Sequence, residues 1–161
     1  MSIAVGDALP DVNLMVASPQ GPWPVQTGEF FKGRRVALFS VPGAFTSTCS
    51  TRHLPGFVDH AGSLRAKGID EVVCTSVNDS FVMSAWQQRD GSDAVTMLAD
   101  GNGEFAKALG LHMDASAYGL GLRAQRYSMI VTDGVVDHLN IEPPGTFGIS
   151  SAEHLLAQLS D

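Results

Sequence analysis

Val36-Ala37-Leu38-Phe39-Ser40-Val41-Pro42-Gly43-Ala44-Phe45-Thr46-Ser47-Thr48-Cys49 passes from an apolar run to a lone thiol. Val36–Val41 reads as a buried strand. Pro42 and Gly43 end it sharply, and the residues after Cys49 read as a helix. A thiol at a strand-to-helix junction lies beside unpaired backbone N–H groups and the positive end of the helix dipole. Both favour thiolate over thiol. Thr46, three residues before Cys49, can bring its hydroxyl beside the sulfur in the first turn.

Outward from this stretch, Thr48 to Lys67 has a helical pattern, with Leu54, Phe57, Val58, Ala61 and Leu64 at spacings of three and four. Pro55 inside it predicts a kink or a loosened first turn. Glu71–Val77 reads as a strand, and Asn78-Asp79-Ser80 as a turn and N-cap. A helix then runs to about Arg89, a strand over Ala94–Leu98, and a short helix over Glu104–Leu109. Leu111–Leu122 reads as irregular. Tyr127–Thr132 and Val135–Ile141 flank Asp133-Gly134, a hairpin signal. Ser150 or Ser151 caps a last helix through Leu155, Leu156 and Leu159. Upstream, strand-like pieces lie around Val12–Met15 and Pro24–Gln26. Strand–helix alternation followed by a hairpin predicts an α/β fold, a mixed sheet with helices on both faces. Without a repeat or linker, residues 1–161 read as one domain.

Composition narrows the function. The chain has 161 residues, 44% hydrophobic and 17% charged, and a formal net charge of −7. An acidic chain repels phosphate backbones and anionic lipid, so neither nucleic acid nor membrane is expected as a partner. No apolar run approaches the roughly 20 residues of a membrane span. Met1–Asp7 has no basic and apolar blocks of a secretory signal. Two cysteines, Cys49 and Cys74, make no disulfide framework and suit a reducing, cytoplasmic compartment.

Pro42-Gly43-Ala44-Phe45-Thr46-Ser47-Thr48-Cys49-Ser50 resembles the active-site loop of peroxiredoxins, Pro-x-x-x-Thr-x-x-Cys. His53-Leu54-Pro55-Gly56-Phe57, Ser76-Val77-Asn78-Asp79-Ser80-Phe81-Val82 and Arg126-Tyr127-Ser128-Met129 resemble the type II, peroxiredoxin-5-like subfamily, and the similarity runs from about Val5 to Leu159. The resemblance implies a thioredoxin-like fold and a thiol-dependent peroxidase without flavin, haem or metal. It implies Cys49 as the attacking thiol, Thr46 as a hydrogen-bond partner of sulfur and peroxide, and Arg126 as the active-site arginine. Pro42, Gly43 and Thr48 would form the substrate-binding surface, with Pro42 keeping water out. A homodimer is expected through the loops around the site, with Phe45 and Phe81 as apolar contacts or, alternatively, as core residues.

Two departures from the family pattern matter. Ser47 stands where proline is usual, so the loop loses a fixed φ. Gly145–Ser151 holds no cysteine where many type II members carry a resolving one. Cys74 lies mid-strand and reads as an inert buried residue. By resemblance, reduction falls to an outside thiol: glutaredoxin with glutathione, or thioredoxin.

Other readings are weaker. A disulfide oxidoreductase wants Cys-x-x-Cys, and Cys49 is followed by Ser50-Thr51-Arg52. A redox-sensing or chaperone-like module could use the same oxidised sulfur without turnover. His53, four residues after Cys49, shares its helix face and reads as a packing or rim residue rather than a base. Cys49-x-x-x-His53 has no second ligand pair, so no metal is expected.

Overall fold

The computed structural model describes residues 2–159; Met1 and residues 160–161, the ends of the expected domain, lie outside them. In chain order the strands are β1 (Asn13–Ala17), β2 (Trp23–Gln26), β3 (Arg35–Ser40), β4 (Glu71–Ser76), β5 (Thr96–Ala99), β6 (His112–Asp114), β7 (Leu122–Ala124), β8 (Tyr127–Thr132) and β9 (Val135–Ile141). The helices are α1 (Thr27–Phe30), α2 (Leu54–Ala66), α3 (Ser80–Asp90), α4 (Glu104–Leu109) and α5 (Ala152–Leu159). Among the described residues, seven strands form one sheet in the order β2-β1-β5-β4-β3-β8-β9. β3 runs parallel to β4, and β4 to β5. β8 closes on β3 antiparallel and β9 on β8. This is the thioredoxin-like mixed sheet flanked by helices.

The central strands are apolar on both faces because both are covered. On one side Ala37, Phe39, Val72, Cys74 and Met97 pack against Leu54, Phe57, Ala61 and Leu64 of α2, Met83 and Trp86 of α3, and Leu155 of α5. On the other, Val36, Leu38, Val73 and Leu98 meet Phe31, Phe105 and Leu109. The alternation along β3 is the period-two rule applied to a doubly covered sheet.

The structure corrects the reading in several places. Leu111–Leu122 is not simply irregular: β6 pairs with β7 across a short 3₁₀ turn at Ser116–Tyr118. Helix α1 was not legible in its four residues. The strand expected at Ala94–Leu98 begins at Thr96. Ser151, not Ser150, caps α5, accepting from the His154 N–H at 3.1 Å. The loosened first turn expected around Pro55 takes the form of a π turn at Cys49–His53, where the Leu54 N–H reaches back five residues to the Cys49 carbonyl. Pro55 accounts for the change: without an N–H it cannot close an α-type bond to Thr51.

Candidate active site

The loop between β3 and the π turn is held from several sides. The Ala44 N–H donates to Asn78 Oδ1 at 2.9 Å, and Ser76 Oγ donates to the same oxygen at 2.7 Å. Arg123 donates to the Val77 carbonyl at 3.1 Å and the Leu120 carbonyl at 2.9 Å. A Cβ on Gly43 would stand 3.1 Å from Thr46 Cγ2 and 3.3 Å from Arg123 Nη1, so glycine lets these side chains close over the turn without shifting. Phe45 follows in the left-handed region, at φ 67°. A bulky residue is strained there and needs such surroundings to stay. Trp86 Nε1 donates to Ser50 Oγ at 2.9 Å and ties α3 to the π turn.

These restraints leave Cys49 fully buried, as a free thiol. Arg126, just before β8, brings a guanidinium to it from far along the chain: Nη2 donates to Cys49 Sγ at 3.1 Å. Its other terminal nitrogen, Nη1, donates to His53 Nδ1 at 2.8 Å. Cys49 and His53 share a face of the π turn, and one planar guanidinium spans both.

His53 is thus neither a rim residue nor a base for Cys49. It is fully buried among the rings of Phe39, Phe57 and Phe147. Its Nε2–H donates to the Ser150 carbonyl at 2.9 Å. The partners dictate the tautomer: a carbonyl only accepts and a guanidinium only donates, so the proton sits on Nε2 and the lone pair on Nδ1. Burial, and next the adjacent Arg126 charge, lower its pKa from 6.5 to about 3. The ring stays neutral.

Thr46 departs from its expected role. Its hydroxyl donates to the Gly43 carbonyl at 2.6 Å, not to sulfur. With that proton committed, Thr46 Oγ1 can only accept from a third partner.

Beside the guanidinium opens a cleft of about 420 Å³. Pro42, Thr48, Arg126 and Gln125 line it, with Met113, Pro143, Pro144 and Phe147 as its apolar wall. Gly43, expected on this surface, is not among its lining residues, and neither is Thr46; both lie in the turn beneath. Arg126 lines the cleft and touches the sulfur, so it joins the two. Phe147 stacks under Arg52, with 4.6 Å from the guanidinium carbon to the ring centroid.

The wall rests on Glu142. Its Oε2 accepts from the Gly148 N–H (2.6 Å), the Ser150 N–H (2.8 Å) and Ser150 Oγ (2.7 Å), and Oε1 accepts from Thr146 Oγ1 (2.9 Å). Burial opposes the charge, but the hydrogen bonds from Gly148, Ser150 and Thr146 outweigh it and hold the pKa at about 2. Ser150 and Phe147 act on His53 and Arg123 on Val77, all distant in sequence, so none carries a local signature, whereas Glu142 binds within its own loop at Thr146, Gly148 and Ser150. An acid ahead of a Pro-Pro-Gly turn with hydroxyl residues after it was the one available hint.

A thiol gripped by a guanidinium at the edge of a cleft can attack an electrophilic oxygen, with the cation steadying the charge that departs. The chain matches the Redoxin family model over residues 4–156. It belongs to the redoxin family, among the peroxiredoxins. It is 51% identical over 164 residues to peroxiredoxin-2E-2, chloroplastic, of Oryza sativa subsp. japonica, covering 98% of this chain and 73% of that one. Reduced Prx3 from Vibrio vulnificus, crystallised with H2O2, superposes with a TM-score of 0.94 at 48% identity, covering 98% and 99% of the two chains. Peroxiredoxin 5 from Alvinella pompejana superposes at 0.84, with 33% identity and 98% and 97% coverage. A peroxiredoxin is a thiol peroxidase acting on peroxides, and that is the activity of this chain. Among the described residues no group of His, Cys, Asp and Glu could hold a metal ion, and no helix is long and apolar enough to cross a membrane.

Proposed function

We propose that this peroxiredoxin reduces hydrogen peroxide and small organic hydroperoxides at Cys49, and that an external thiol, glutathione with glutaredoxin, restores it. The observation that carries the reading is Arg126 Nη2 at 3.1 Å from Cys49 Sγ, on a residue that also lines the cleft. The thiolate attacks one peroxide oxygen, the O–O bond breaks, and the other oxygen leaves as an alcohol or water once protonated. Sulfur gains one oxygen as sulfenic acid. One external thiol then condenses with it to a mixed disulfide and water, and a second thiol releases Cys49 and a free disulfide. Sulfur chemistry alone closes this cycle. Arg126 polarises the departing oxygen, Thr46 Oγ1 accepts from the peroxide O–H, and Pro42 and Thr48 bound the approach, with Gly43 shaping the turn.

Cys74 supports external resolution. It is fully buried in β4, between Phe39 of β3 and Met97 of β5. Burial, with the nearby Cys49 adding to it, raises its thiol pKa well above the ordinary value. Such a thiol supplies no nucleophile to a sulfenate. The sheet holding both core clusters supports reading residues 1–161 as one domain, and the two free thiols support a reducing, cytoplasmic setting. Phe45 and Phe81 are exposed rather than core, at 39% and 72%, which supports a homodimer joined near the site.

Steady-state peroxide consumption with glutaredoxin and glutathione, against thioredoxin, tests the cycle. Sustained turnover with the first pair is expected. A single equivalent of oxidation with either system would leave a sensor rather than an enzyme. Sedimentation of the same protein at micromolar concentration checks the dimer; a monomer in both redox forms rejects it.

A further inference from the structure

We infer that Glu142 is a positioning residue for peroxide attack, acting on Cys49 through Ser150, His53 and Arg126. The inference rests on the peroxidase reading, which it deepens, and the route is a chain of hydrogen bonds. Glu142 draws in the backbone N–H and hydroxyl of Ser150 at 2.8 and 2.7 Å. With Ser150 held there and the next peptide turned by the Ser151 N–H onto the Gly148 carbonyl at 3.3 Å, the Ser150 carbonyl accepts from His53 Nε2 at 2.9 Å. The imidazole, held in one tautomer, offers the Nδ1 lone pair to Arg126 Nη1 at 2.8 Å. A guanidinium pinned at one nitrogen has its other nitrogen aimed, here onto Cys49 Sγ at 3.1 Å.

Each link has a direction that the next requires. Were the Ser150 carbonyl turned away, His53 could place its proton on Nδ1. It would then set an N–H against a guanidinium N–H, and Arg126 would lose its hydrogen bond to His53, keeping the sulfur and the Phe147 ring face at 5.9 Å. Burial keeps water from repairing the loss. Glu142 is tied to the same arginine through the backbone, its N–H donating to the Arg126 carbonyl at 3.0 Å. Position 142 thus meets Arg126 directly through its backbone, a bond that Glu142→Ala retains, and through the glutamate side chain only by the longer route. Glu142 also steadies the loop carrying Phe147, whose ring meets His53 at 5.0 Å between centroids.

The test reads His53 directly. In reduced protein labelled with ¹⁵N-histidine, signals assigned through His53→Asn should show a proton on Nε2 and none on Nδ1, unchanged between pH 5 and 8. Glu142→Ala should mix the tautomers and slow Cys49 oxidation by about tenfold. Glu142→Gln keeps an oxygen for Ser150 and should recover most of that rate. A proton on Nδ1 in the wild type overturns the inference. So does a folded Glu142→Ala with the wild-type rate, or a slow one whose His53 signals match the wild type, since its effect would bypass the imidazole. If Glu142→Ala does not fold, the wild-type signals and Glu142→Gln decide. The imidazole measurement needs no turnover, so failure of this inference and failure of the peroxidase reading are separable.

Discussion

Cys49→Ser will have no peroxidase turnover, whereas Cys74→Ser will keep most of it in the presence of glutaredoxin and glutathione. Serine at 49 folds into the same buried site, but its hydroxyl is neither ionised nor a competent nucleophile towards peroxide without a base. The one candidate base, His53, has its lone pair committed to Arg126. At 74 the substitution removes a buried sulfur from the sheet, which affects packing more than chemistry. Mass spectrometry after one equivalent of peroxide should find sulfenate, or a mixed disulfide with the added thiol. A predominant Cys49–Cys74 disulfide, with turnover lost in Cys74→Ser, would make this a two-cysteine enzyme. Closing that bond needs Cα atoms within about 7 Å and side chains facing each other. Cys74 is fully buried in the same apolar cluster as Cys49, so such a bond would have to form inside that packing.

Replacing Arg126 with Met should slow the second-order oxidation of Cys49 by at least about tenfold, a loss of 1.4 kcal/mol or more in the transition state. Methionine keeps much of the side-chain volume and removes both donors. The sulfur loses its cationic neighbour at 3.1 Å, and His53 is left with an unpaired buried lone pair. Stopped-flow oxidation at fixed pH measures the first effect. An unchanged rate in a folded variant would show that the guanidinium contributes nothing to attack.

The elements readable from sequence were those decided by local pattern. β3 and β4 announced themselves as continuous apolar runs, and the β8–β9 turn through Asp133-Gly134, whose φ angles of 49° and 78° suit the hairpin chemistry that the dipeptide signals. The strand-to-helix position of Cys49 was legible too. Features set by distant residues were not. The π turn follows from Pro55 acting on backbone several residues earlier, and a helical periodicity does not distinguish it from a loosened α turn. Thr46 was near enough in sequence to suggest a bond to sulfur, yet its proton is closer to the Gly43 carbonyl. His53 looked peripheral because its partners, Arg126 and Ser150, are 73 and 97 positions away. Glu142 had no motif to mark it, since its acceptors' worth depends on how the following loop folds back.

The neutral imidazole makes folding itself a proton-linked event. In the unfolded chain His53 protonates near its ordinary 6.5, but in the folded chain only near about 3. Between those values the unfolded state binds more protons, so stability rises with pH through this window and the contribution is complete above it. Glu142 adds a second increment, lost as pH falls from its ordinary 4.5 towards about 2. Urea midpoints should therefore drop from pH 7.5 to pH 5 through His53 before most carboxylates respond. The arrangement that aims a guanidinium at sulfur also makes the fold acid-labile, and mild acidification would weaken the domain first at its own catalytic centre.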